Sequence, residues 1–209
     1  MNTTENNINY KKKLIILEDA KIYVRKNGWT KNLLKKLINN KTKSYDLGYL
    51  FPNGYSDLLS LALNEINKSL ENKISKINII NFSISKRMKK ILQTRLEILD
   101  ADKIFYRKTF NHLLLPNKSK LMKRNLYKSV DKMWYLAGDN STDFSFYTKR
   151  LILAAIYTNA LFVFFNKDIK EASINIDKNL EKISKIPKIK ERFSFIKDNL
   201  PVFLKGIIN

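Results

Sequence analysis

The chain has 209 residues, 44% of them hydrophobic, and a net charge of +21 from 40 basic and 19 acidic side chains. That apolar share supports a packed core and excludes wholesale disorder, while five Gly and four Pro are few for the many turns of an all-β protein. The lack of Cys excludes disulfides, thiolate metal sites and cysteine nucleophiles.

The first residues, MNTTENNINYKKKL, have no apolar h-region and lack the Arg-rich, acid-poor look of a transit peptide, which favours a bacterial cytoplasmic chain. Residues 1–9 read as a disordered polar tail. A first helix is expected from Lys11 to Asn27, with Leu14, Leu17, Ala20 and Val24 on one stripe and Gly28 as its stop. Thr30 is a candidate cap for a second helix holding Leu33, Leu34, Leu37 and Ile38. A short segment, Ser44 to Leu50, ends at Phe51-Pro52-Asn53-Gly54, and Ser56 and Asp57 open a longer helix through Leu58, Ala62, Ile66 and Leu70. This order of helices resembles the amino end of TetR-type regulators, whose second and third helices form a helix-turn-helix. Residues 10–75 are therefore expected to form helix-turn-helix-like N-terminal helices. The third of them carries Asp46 and no Lys or Arg after Lys43, a poor set for reading base edges or phosphates. No specific nucleic acid is expected as a partner.

Residues 72–82 are an Ile/Asn-rich connector, and residues 83–187 are expected to form a helical core. Ser85 to Leu99 is helical through Met88, Leu92 and Leu99. Asp100 or Asp102 starts the next helix, which ends at Pro116, and Asn117 or Ser119 opens the helix leading to Ala137. Residues 61–130 hold 16 Lys/Arg against 5 Asp/Glu, interleaved with apolar positions at helical spacing. That pattern fits a solvated basic face as well as an anionic partner. His112, the one histidine, has no Glu three residues before it, so the E-x-x-H pattern of di-iron carboxylate sites is missing. One His without Cys leaves no ordinary zinc site, and there is no Gly-rich phosphate loop. No catalytic residue, metal or cofactor is expected, and the protein reads as a non-enzyme.

Leu126, Val130, Met133 and Ala137 form one apolar stripe, and Gly138 follows as a helix stop. Ser141 or Thr142 is the candidate N-cap of the next helix, with Asp139 and Asp143 read as acids around a helix start rather than a catalytic pair. From Leu151 to Phe165 only Thr158 and Asn159 are plainly polar. That run reaches roughly 22 Å, short of a hydrocarbon core of roughly 30 Å. It reads as a core helix or the wall of an apolar cavity, and Leu151, Ile152, Ala155, Ile156, Leu161, Val163, Phe164 and Phe165 are its candidate lining residues for an apolar ligand.

The stretch WYLAGDNSTDFSFYTKRLILAAIY resembles the signature of the Coq-nine family, accessory proteins of ubiquinone biosynthesis. The residues that carry it are Trp134, Ala137-Gly138-Asp139, Ser141-Thr142-Asp143, Phe146, Tyr147-Thr148-Lys149-Arg150 and Ala154-Ala155. Phe146 stands where many members have Trp. Arg95-Leu96-Glu97-Ile98-Leu99 resembles the family's RLELL segment. The resemblance, from Gly28 to Ile186, implies an all-α, TetR-like helical bundle that has left DNA binding. It also implies an isoprenoid quinone intermediate or another lipid as ligand. Tyr127, Asp131 and Trp134 fall on a stripe beside the core stripe, which fits a partner surface or a second internal packing contact. In the family, the Trp-Tyr pair before AGD is associated with docking a quinone-ring hydroxylase. Tyr127, Asp131, Trp134 and Tyr135 are thus the candidate partner-binding residues.

Asp168 to Ile186 is a clean amphipathic pattern closed by Pro187. Residues 188–209 place apolar residues three and four apart among Lys and Arg, the pattern of an interfacial membrane helix. Phe193, Ile196, Lys197, Leu200, Phe203, Leu204 and Lys205 are the candidate contacts with an anionic membrane surface. A terminal helix folded onto the core, or onto the other half of a homodimer, fits the same pattern. The sequence therefore points to a cytoplasmic, non-catalytic lipid-binding protein, peripheral on the inner membrane. A TetR-type transcriptional regulator with a lipophilic effector is the alternative.

Overall fold

Apolar side chains recurring three and four residues apart build an all-α bundle in the computed structural model, which describes residues 3–38, 45–141 and 144–184. The helices are α1 (Thr3–Asn27), α2 (Leu33–Lys36), α3 (Leu47–Leu50), α4 (Tyr55–Ile74), α5 (Ile84–Asp100), α6 (Lys103–Leu113), α7 (Ser119–Leu136), α8 (Phe144–Asn166) and α9 (Ile169–Ser184). A 3₁₀ turn, Pro116–Lys118, leads into α7, and the described residues contain no strand.

The helix starts show which local signals act. α1 begins at Thr3, so it takes in most of the residues that composition assigns to a tail. Tertiary contact holds this polar turn: the Tyr10 hydroxyl donates to Glu65 of α4 at 2.5 Å and accepts from Lys68 at 2.6 Å. α2 is a single turn capped by position at Asn32; the buried Thr30 hydroxyl has no partner, and its carbonyl accepts the Leu33 N–H instead. Asp102 does cap α6, accepting from the Phe105 N–H, while both its oxygens also hold Arg25 of α1, at 2.9 and 2.6 Å.

α5 runs through the centre and touches α4, α6, α7, α8 and α9, while α1 packs on α4 and α6. Met88, Ile91, Leu92, Leu96 and Leu99 are buried along it, each contributing roughly 1.5–3 kcal/mol of burial free energy. On α7 the stripe Val130, Met133 and Ala137 is buried as its spacing requires. α8 lies between α7 and α9. It is longer than its apolar run, because Phe146 and Tyr147 continue the stretch beyond Lys149 and Arg150. Phe146–Asn166 is thus long and apolar enough to cross a membrane by length and composition, although half of it is buried against neighbouring helices. Leu153, Ile156, Ala160 and Phe164 form the buried side, and Leu151 and Phe162 are 67% and 43% exposed on the other.

Candidate functional site

Two places on α7 and α8 concentrate side chains that the sequence marks. The first is the corner between these helices. Gly138 takes φ +83°, a left-handed conformation that costs a side-chain-bearing residue roughly 1–2 kcal/mol. There the Asp139 N–H reaches the Trp134 carbonyl and the Gly138 N–H the Tyr135 carbonyl, the paired bonds of a Schellman stop. Arg87 of α5 seals this end, donating to the Ala137, Phe82 and Ile80 carbonyls. A Cβ on Gly138 would meet the Arg87 guanidinium at 3.1 Å.

Asp139 then turns back into the protein, its side chain only 4% exposed, and accepts from Ser141, from Lys149 at 2.7 Å and from Arg150 at 3.2 Å. Burial pushes its carboxyl up, but hydrogen bonds from Lys149, Ser141 and Arg150 outweigh this and hold it below the usual carboxylate range. Arg150 also donates to Asp131 at 2.7 Å and to the Phe146 carbonyl, and its guanidinium lies over the Phe146 ring. The Trp134 indole N–H donates to the Lys149 carbonyl at 3.0 Å. Each polar group of this corner serves to fix the angle between α7 and α8.

The second place is a cavity of about 160 Å³ among α4, α5, α6, α7 and α8. Leu63 and Ile66, Leu99, Phe110 and Leu113, Leu126, and Leu161 and Phe165 supply its apolar wall from these five helices. Burial, then the charge of Asp102, pushes the lining Tyr106 up to about 12, so that part of the wall stays neutral. Leu126 and Thr158 line both this cavity and a shallow apolar depression over Leu151, Ala154, Ala155 and Phe162 on the outer side of α8. The cavity and this exposed apolar track thus share two wall residues. Among the described residues one charged side chain lines the cavity: Arg95, buried to 1% exposure.

Residues 120–186, which span the corner and the whole of α8, match the COQ9 family model. The chain is 30% identical over 149 residues to the ubiquinone biosynthesis protein COQ9, mitochondrial, of Bos taurus, covering 68% of this chain and 47% of that protein. It is 29% identical over 153 residues to the Homo sapiens protein of the same name, covering 68% and 47%. It is 27% identical over 160 residues to the probable ubiquinone biosynthesis protein coq9, mitochondrial, of Dictyostelium discoideum, covering 71% and 50%. The chain belongs to the COQ9 family. It spans about half the length of the curated COQ9 relatives it matches.

Within this COQ9-family fold the lipid-lining residues expected on α8 divide among four surroundings, because a helix has four sides and the cavity meets one. Leu161 and Phe165 line the cavity. Ile152 and Ile156 line a second apolar cavity of about 110 Å³ on the α9 side, with Trp134, Met88 and Leu180. Leu151 and Ala155 lie on the exposed track. Phe164 is fully buried, and Val163 packs at the edge of the core. Of the partner-binding candidates, Tyr127 and Tyr135 are 50% and 66% exposed. Asp131 between them is engaged by Arg150, and Trp134 packs partly against the core. The membrane candidates Phe193, Ile196, Lys197, Leu200, Phe203, Leu204 and Lys205, and Asp143 of the signature, lie outside the described residues. Sequence reasoning missed Arg95 as a cavity residue. Its signal was visible: a lone charge in the middle of the buried stripe Met88, Ile91, Leu92, Leu99.

Proposed function

We propose that this chain is a non-catalytic accessory protein of ubiquinone biosynthesis. It binds a lipid, an isoprenoid quinone intermediate, and presents it to a quinone-ring hydroxylase on the inner membrane surface facing the cytoplasm. The observation that carries this reading is the apolar cavity that shares Leu126 and Thr158 with an exposed apolar track along α8. A prenyl tail gains roughly 0.8 kcal/mol for each methylene it buries, so partial burial along such a track suffices to hold it. The names of the COQ9 relatives, ubiquinone biosynthesis proteins, support the pathway. The exposed pair Tyr127 and Tyr135 supports a docking face beside the corner, since Tyr is enriched among interface anchors. The basic, apolar pattern of residues 188–209 supports attachment to an anionic membrane surface.

The test is mass spectrometry of lipids that purify with the native protein from its own cells. The expected result is a polyprenylated aromatic compound enriched well above its share of total lipid. Bulk phospholipid alone, in the proportions of the membrane, overturns the assignment to quinone metabolism.

A further inference from the structure

Arg95 is a buried cation that pairs with no acid among the described residues. A guanidinium keeps its charge in a protein, and removing that charge from water is costly unless a counter-charge offsets it. Its Nε donates to the Tyr157 hydroxyl at 2.7 Å, Nη1 to the Asn67 side-chain carbonyl at 2.7 Å and Nη2 to the Ser129 hydroxyl at 2.8 Å. All three partners are neutral, and among the described residues no carboxylate pairs with it. The chain treats its other inward-facing arginines differently. Arg150 meets Asp131 and Asp139, and Arg87 meets three carbonyls at helix and turn ends. Three neutral oxygens and the Tyr157 ring, 5.1 Å from the guanidinium, fix the direction of the Arg95 fork without supplying a counter-charge, and Tyr157 and Ser129 line the cavity with it.

We infer that Arg95 receives the anionic oxygen headgroup of a single-tailed amphiphile, which enters the cavity head first and lays its tail along the α8 track. The inference rests on the lipid-binding reading and adds the ligand's orientation and its charge. Volume supports it: a cavity of about 150 Å³ lined by Leu, Ile and Phe accepts benzene, so this one holds a ring or carboxylate-bearing end, not a long chain. The tail then leaves past Leu126 and Thr158 towards Leu151 and Phe162. A neutral quinone would leave the charge of Arg95 unpaired. An earlier, more acidic ring compound, still bearing a free carboxylate or phenolate, is the better guest.

The test compares dodecanoate with 1-dodecanol, which share a tail and differ in headgroup charge, by calorimetry with the full chain. The wild-type protein is expected to bind dodecanoate at least roughly tenfold tighter. The preference should persist in about 0.5 M salt, where attraction to the basic surface is screened and a buried pair is not. In Arg95→Gln the ratio of the two affinities should fall towards one. If that variant does not fold, the wild-type ratio at high salt decides, with Arg95→Lys as the charge-keeping control. Equal wild-type binding of the two probes, or a preference that vanishes with salt, overturns the role of Arg95 and leaves lipid binding standing. Binding of neither probe overturns both readings.

Discussion

Arg150 and Arg95 are both buried, and their surroundings differ in the one respect that matters for function. At the α7–α8 corner Arg150 has two carboxylates, an aromatic face and a carbonyl. At the cavity Arg95 has three neutral oxygens and the Tyr157 ring at 5.1 Å, and among the described residues no carboxylate pairs with it. A saturated network holds a shape and has nothing left to offer a ligand. A buried charge with no paired carboxylate still has an interaction to offer, which is the basis of the ligand site proposed at Arg95. The signature residues of the family that are most visible in the sequence thus build the frame, and the cavity proposed as the ligand site is lined by residues scattered over five helices.

The largest break of this contrast comes at the corner. Asp139→Ala takes the carboxylate from Lys149 and leaves Arg150 with Asp131 alone beside a vacated, nearly buried position, and losing one partner of such a pair costs about 3 kcal/mol. Chemical denaturation should show that loss as a lower midpoint with an unchanged slope. A change within experimental error would mean that the corner is not held by its charges. The same carboxyl, titrating below its ordinary value of 3.8, stabilises the fold at all pH values above that and loses its contribution as pH falls further.

Smaller in stability, and opposite in kind, is the effect of filling the cavity. Leu161→Phe adds volume where the protein has room, so stability should stay within about 1.5 kcal/mol of wild type. Lipid binding should fall sharply in the same variant, read by native mass spectrometry. A large loss of stability would show that the space is not available to a guest. Normal lipid binding would show that the ligand lies elsewhere, the smaller cavity behind Ile152 and Ile156 being the next place to look.

Helix periodicity made most of the frame legible in the sequence. The buried stripe Val130, Met133 and Ala137 and the stop at Gly138 follow from local rules, which also narrowed the start of α6 to Asp100 or Asp102, the structure giving the cap to Asp102. The reach of α1 back to Thr3 was hidden because Tyr10 is anchored by Glu65, far away in sequence. The role of Asp139 was half legible: an acid beside a helix start reads as a cap, while its true partners, Lys149 and Arg150, stand a turn and more into α8. The cavity was least legible. Apolarity along α8 is nearly uniform, so nothing in one sequence separates Leu161, which lines it, from Phe164, which does not.

The smallest expected effect concerns His112, at the end of α6 beside the cavity-lining Leu113 and Leu114. Its ring packs against Tyr55 and Trp29, at 5.5 and 6.4 Å between centroids, and its Nε2 is buried without a partner. Burial first, and then the charge of Lys118, pushes its pKa below the ordinary 6.5. The unfolded chain therefore binds this proton before the folded one does. Stability is fully present above pH 6.5 and declines as pH falls through that value towards the lower folded pKa. Acid thus loosens the α6 side of the molecule at mildly acidic pH, and the Asp139 corner only below its own, far lower range. In His112→Phe, which keeps an aromatic ring and removes the proton site, the fall in melting temperature between about pH 7 and 5 should become shallower. An unchanged slope would assign the mildly acidic loss to other groups. A slope that shrinks only when Asp139 is also replaced would show that the two regions titrate as one unit, and the contrast between them would then fail.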